Sequence, residues 1–359
     1  MTPRLPTLPA PPGLDRRLFL RALLGTGAAL GLSSCAAAAA SGPALDAAAP
    51  LPTKIPAGTT LSIASSTGLQ ELQLKLAGLL DDLPFKVSGW PNIGAGPDVI
   101  NAFRARSLEV ANNAGIPPIQ AHYQGLDARI VAIDLTRKPS YIFATSPHST
   151  IQSVAGFRGK RLAFSQGQAQ GVVLLRALKQ AGLKYSDVTL VPLTSNQFLT
   201  ALQAGQVDIA PLGISQVPSY LNSYGSDGAH TISTNVVDLL SLLWAPASVL
   251  ADAGKAAAIA AYIPLWAKGL VWAYENPDAW EQKYYVDTQN ITLAQAKGIV
   301  ALSNKPLFPP TWDEAIKWEQ ETADLLAAGG FVKPFRVDTL FDRRFEPLAA
   351  NAVAATYRS

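Results

Sequence analysis

Two periodicities take turns along this chain. Leu61-Ser62-Ile63-Ala64 alternates like a strand, and from Leu69 to Leu83 the positions Leu69, Leu72, Leu76, Leu79, Leu80 and Leu83 fall at helical spacing. The series continues with a strand over Phe85–Trp90 and a helix over Pro97–Arg106 with proline in its first turn. It then predicts a strand over 109–113, a helix over 117–124 and a strand over 128–135. A second series follows: strands over 160–164, 188–192 and 207–210, and helices over 171–181 and 196–204, each closed by a glycine, Gly182 and Gly205. Strands alternating with helices predict parallel sheets in an α/β fold with right-handed crossovers. From Ala247 the pattern turns helical, with helices over 253–276, 292–302 and 313–328. The first of these is long and apolar, but Lys255, Pro264, Lys268 and Glu275 interrupt it, so it is not expected to span a membrane. No repeat of solenoid length is evident.

The first fifty residues read as an address. Arg16-Arg17-Leu18-Phe19-Leu20-Arg21 precedes a short apolar run, Ala22–Leu32, and then small residues. The paired arginines resemble the twin-arginine export signal. Leu32-Ser33-Ser34-Cys35 resembles the lipobox of bacterial lipoproteins, which implies that Cys35 is acylated and anchors the protein to a membrane. Cys35 is the only cysteine, so no disulfide forms within the chain. Residues 36–57, rich in alanine and proline, are expected to be a tether.

Charge changes the picture of partners. The formal charge is +3, but Arg4, Arg16, Arg17 and Arg21 face only Asp15 before residue 36. Setting aside those 4 of the 29 bases and 1 of the 26 acids leaves 25 of each. A neutral mature chain lacks the basic footprint of a nucleic-acid binder. With 48% hydrophobic and 15% charged residues in 359, it has enough apolar surface for two lobes.

Four stretches carry a family resemblance: Gly94-Ala95-Gly96-Pro97-Asp98-Val99-Ile100-Asn101-Ala102-Phe103; Ser107 to Pro118, ending Gly115-Ile116-Pro117-Pro118; Ser153 to Ala163, containing Gly156-Phe157-Arg158-Gly159-Lys160; and Gln166-Gly167-Gln168 followed by Leu174 to Val188. In order and spacing they resemble the type II periplasmic-binding proteins of the sulfonate, nitrate and taurine (NMT1/THI5-like) import family. The resemblance implies two α/β lobes, each a mostly parallel sheet flanked by helices, with two hinge crossings and a solute in the cleft. The crossings are expected near Tyr141–Thr145 and Thr234–Leu242. The first lobe is then 58–144 plus 238–359, the second 145–237, after a signal peptide at 1–35. It also implies a monomer, an extracytoplasmic location, and permease and ATPase partners of an ABC importer.

In an open α/β sheet the ligand site lies beyond the carboxyl ends of the strands, where helix N-termini offer unpaired N–H groups. The candidate ligand-binding residues are therefore Ser66, Thr67, Gly94, Gly96, Asn113, Ala114, Gly115, Gln166, Gly167, Gln168, Gly213 and Ser215. Ser66 and Thr67 also suit a helix cap, and Trp90 and Trp244 suit the core better than a pocket wall. Asn113-Ala114-Gly115, Gln168 and Gly213 depart from the sulfonate binders by removing bulk and charge, which suggests a roomier, more neutral pocket. Replacing Asn113 by leucine is accordingly expected to cost affinity rather than stability. A thiamine-precursor-like pyrimidine or another heterocycle is the alternative ligand.

An exported enzyme is the competing class. Gly-x-Ser-x-Gly, His-Glu-x-x-His and a phosphate loop are all missing, and Cys35 is committed to the anchor. No cofactor motif is found. His122, His148 and His230 lack metal-ligand spacing and are expected on the surface.

Overall fold

The computed structural model describes residues 49–358. The signal segment, Cys35 and the first part of the expected tether lie outside them. The described end of that tether is docked rather than free. Leu51 and Ile55 pack on the core, Pro56 lies against Gly254, and the Arg344 guanidinium donates to the Ala49 carbonyl at 3.2 Å.

The first half-lobe runs β1 (Thr60–Ser62), α1 (Leu69–Leu76), β2 (Lys86–Gly89), α2 (Gly96–Arg104), β3 (Ala111–Ala114), α3 (Ile116–Tyr123) and β4 (Ala128–Leu135). The second lobe follows as β5 (Tyr141–Thr145), β6 (Arg161–Phe164), α4 (Ala169–Gln180), β7 (Thr189–Pro192), α5 (Ser195–Gln203), β8 (Ile209–Gly213), α6 (Val217–Tyr224) and β9 (Thr231–Ile232). The chain then returns through β10 (Leu240–Pro246) and α7 (Ala247–Leu250). It closes with α8 (Ala253–Glu275), α9 (Pro277–Trp280), α10 (Leu293–Leu302), α11 (Asp313–Ala328) and α12 (Pro347–Asn351).

In the first lobe β1 pairs parallel with β2, and a parallel bridge from Ile63 to Val110 carries the pairing to the foot of β3. β10 lies between β3 and β4, antiparallel to both. The second sheet has the order β7-β6-β8-β5-β9, with β6 parallel to its neighbours and β5 antiparallel to its own. The two reversed strands, β5 and β10, are those that follow a crossing. A chain entering from the other lobe arrives at the cleft, so its first strand must run away from it.

Three expectations are corrected here. Tyr141–Thr145 is not the crossing but strand β5, paired with β8 along its whole length; the chain crosses in 136–140. Tyr-Ile-Phe-Ala-Thr is simply good strand sequence. The return crossing likewise ends before Leu240, where β10 begins. The helix expected over 69–83 stops at Leu76, because Gly78 takes φ +69° and the Leu79 N–H reaches back to the Leu74 carbonyl at 2.8 Å.

Sheet and helix meet over Trp244, fully buried and edge-on to Phe103 at 4.8 Å. α8 is long and apolar enough to cross a membrane, but 61% of its apolar window is buried inside the protein. Tyr262 on α8 is buried, and its hydroxyl finds no partner. Tyr262→Phe removes that unpaired group without opening a cavity. It is expected to raise stability by up to about 1 kcal/mol, measured by urea unfolding, whereas a loss of that size would show an unseen partner.

Candidate functional site

A cleft of about 970 Å³ opens between the two sheets. Its position follows from strand direction. The parallel strands end there, delivering Ser66 after β1, Asn92–Gly96 after β2, Asn113 and Ala114 from β3, Gln168–Gln170 after β6 and Ser195–Asn196 after β7. The reversed strands begin there, so Tyr141 lies opposite Gly213 and Ser241 opposite Ala114.

Of the candidate residues, Ser66, Thr67, Gly94, Gly96, Asn113, Ala114 and Gln168 line this cleft. Several are frame rather than free contact. The Asn113 amide donates to the Gly94 carbonyl at 2.8 Å and accepts from the Trp244 indole at 2.9 Å. An Asn113→Leu chain therefore strands both partners, which corrects the expectation of a harmless loss of affinity. Gln168 is as fully occupied: its Oε1 accepts from the Ser165 hydroxyl and the Ser195 N–H, and its Nε2 donates to the Ser195 hydroxyl. Thr67 takes a left-handed φ of 53°, donates its N–H to Asn92 Oδ1 and bonds the Tyr284 hydroxyl. The buried Ser65 hydroxyl, rather than Ser66 or Thr67, accepts from the N–H groups of Gln70 and Glu71 at the start of α1.

The other five candidates lie off the cleft. Gln166 and Gly167 belong to a seam between the lobes. Gln120 Nε2 donates to the Gln166 carbonyl at 3.1 Å, and Gln166 Nε2 donates to the Phe331 carbonyl at 2.8 Å. A side chain at Gly96 would meet Pro117 at 2.6 Å and the Gly167 carbonyl at 2.9 Å. Gly115 faces Glu319, whose carboxylate fills the space a Cβ would need. Gly213 donates its N–H to Gln216 Oε1, and Ser215 is exposed outside the cleft. Trp244 is core, His122 is exposed and stacked on Phe335, and His230 is half-buried with Nε2 2.6 Å from the Ile151 carbonyl.

Sequence reasoning missed the groups left with bonding capacity: Gln170, Asn196, Tyr141, Asp98 and Asp238 line the cleft and make no side-chain hydrogen bond to another described residue. For Asn196 there was a signal. Thr194 and Gln197 form the start of a capping box, the Thr194 N–H donating to Gln197 Oε1 at 2.9 Å, which fixes a helix start at a strand's carboxyl end. The amides of Ala169 and Gln170 at the start of α4, and of Asn196 in α5, also meet no acceptor.

Among the described residues, the charged ones lining the cleft are Asp98 and Asp238, and no Arg, Lys or His joins them. Behind Asp238 sits a buried cluster. Arg176 stacks on Trp318 at 3.7 Å, donates to the Thr322 hydroxyl at 2.7 Å, and lies 3.8 Å from Glu321. Burial pushes Asp238 up to about 7 against the pull of Arg176, although one face stays open to the cleft. Glu319 rises to about 8, first by burial and then by the charge of Asp238. Burial lowers Arg176, and raises Tyr141 with help from Asp238.

These carboxyls hold protons in the folded state that they release near pH 4 when unfolded. Between about pH 4 and 8 the unfolded chain therefore binds fewer protons, and stability falls as pH rises. Glu319→Gln is expected to flatten that fall, measured as Tm from pH 5 to 8; an unchanged slope would remove Glu319 from the account.

The family described as NMT1/THI5 like matches residues 97–279, just over half of the chain. A stretch of 119 residues is 34% identical to a protein of Escherichia coli (strain K12) provisionally named as an aliphatic sulfonates-binding protein; it covers 33% of this chain and 37% of that protein. Among solved structures, the alkanesulfonate-binding protein SsuA from Xanthomonas axonopodis pv. citri, bound to MOPS, superposes with a TM-score of 0.68 at 21% identity, over 84% of this chain and 99% of its own. The fold is shared more widely: the desulfurization enzyme DSZB superposes with a TM-score of 0.55 at 15% identity, over 81% and 99%.

Proposed function

Since the chain belongs to the NMT1/THI5-like family, we propose that it is the solute-binding component of an ABC importer, holding a small organic anion such as an aliphatic or aryl sulfonate, taurine or nitrate in the interlobe cleft. The observation that carries this reading is the set of unpaired amides of Ala169, Gln170 and Asn196 at two helix starts on one wall of the cleft. Such groups attract an anion without a side-chain cation, because the helix dipole adds its positive end to theirs. The bound end of the ligand is its sulfonate; the opposite wall takes the remainder. Closure of the lobes would then report occupancy to the permease.

A second reading has its own support. Two carboxylates, no lining cation and many amides suit an amine-bearing heterocycle, such as a thiamine-precursor-like pyrimidine, better than a bare alkyl sulfonate. Catalysis is not part of either reading, since no nucleophile–base pair lines the cleft among the described residues.

Thermal-shift screening of taurine, ethanesulfonate, benzenesulfonate, nitrate and an aminopyrimidine separates the two. A true ligand at about a hundred times its dissociation constant adds roughly 2.7 kcal/mol. Asn196→Asp places a carboxylate beside the free amides, so it is expected to weaken a sulfonate by about tenfold or more while leaving Tm in place. Unchanged calorimetric affinity would remove that wall from the anion site.

The location is proposed to be extracytoplasmic, in the periplasm or on the outer face of the cytoplasmic membrane, with the chain anchored through lipid on Cys35. Cys35→Ala is expected to move the protein from the membrane pellet to the soluble fraction after cell lysis; continued sedimentation with membranes would refute the anchor.

A further inference from the structure

A further cavity, of about 480 Å³, opens on the first lobe between α1, α8, α9 and α10 and shares no lining residue with the cleft. Two carboxylates line it: Asp134 near the end of β4, and Glu281, where the helix following α9 widens to a π-helical turn over Glu281–Val286. They are 7% and 6% exposed. Asp134 Oδ1 accepts from the Leu307 N–H at 2.7 Å, and burial pushes this carboxyl up to about 7. Glu281 Oε2 is buried with no hydrogen-bond partner among the described residues. A carboxylate removed from water and left unpaired is strongly disfavoured, and a π-helical turn costs regular helical bonding; both recur where a ligand completes the site.

The chemistry of the wall narrows the occupant. Lys297 is the lining cation, but it is exposed and forms no ion pair. Among the described residues no group of three or more His, Cys, Asp or Glu could hold a metal ion. The remaining wall is largely apolar, including Leu270, Trp280 and Val300. Two carboxylates beside a largely apolar wall with an aromatic ring match an amphipathic amine.

We propose that this cavity binds a small organic cation, an alkyl- or arylalkyl-ammonium, with the ammonium between Asp134 and Glu281. The inference is independent of the ligand in the cleft.

The test is calorimetric titration of the full chain with phenethylamine and with 2-phenylethanol, its neutral counterpart. The amine is expected to bind one to one, and the alcohol at least about tenfold more weakly. Glu281→Gln, which keeps shape and removes charge, should weaken the amine by about tenfold or more. Ala301→Trp, an exposed lining position, should block it by filling the mouth. Equal binding of amine and alcohol, amine binding unaffected by both variants, or no amine binding up to about 10 mM would overturn the proposal.

Discussion

Everything in this architecture depends on the chain crossing twice between the lobes at the same place. Each crossing leaves one lobe at the cleft and enters the other at the cleft, so β5 and β10 must run against their neighbours. That single constraint brings the carboxyl ends of parallel strands together with the amino ends of the reversed ones. It also sets the helices that follow the parallel strands with their starts toward the gap. The cleft is thus a product of connectivity, and side chains merely tune it.

The tuning follows a division of labour. Asn113 and Gln168, the amides that look most like ligand contacts, spend their hydrogen bonds holding loops to strands and loops to each other. What they hold in place is backbone N–H on one wall, rigid and uncharged. The same cleft also carries Asp238 and Tyr141, with Arg176 on α4 and Glu319 on α11 close to Asp238.

The alternation of strands and helices was legible in the residues because it is local: α11 runs from Asp313 to Ala328 and β4 from Ala128 to Leu135, as periodicity indicates. Boundaries set by long-range pairing were not. β5 and β10 read as linkers because nothing nearby says that Tyr141 will lie opposite Gly213 or Ser241 opposite Ala114. The candidate site was half legible for the same reason. Glycine and proline at strand ends locate the loops, and Gly94, Gly96 and Ala114 do lie at the cleft. Whether an amide is free or spent depends on partners such as Trp244, 131 residues away from Asn113. Asp238 escaped notice since a lone acid inside the apolar run Val236–Leu240 matches no motif.

The seam on one flank of the gap has a mechanical consequence. Gln120 with Gln166, Gln166 with the Phe331 carbonyl, and Gly96 lying close on Gly167 join the lobes on this flank, as Arg176 on α4 and Trp318 on α11 do behind Asp238. Added bulk at residue 96 would press on Pro117 of one lobe and the Gly167 carbonyl of the other, and so act as a wedge between them.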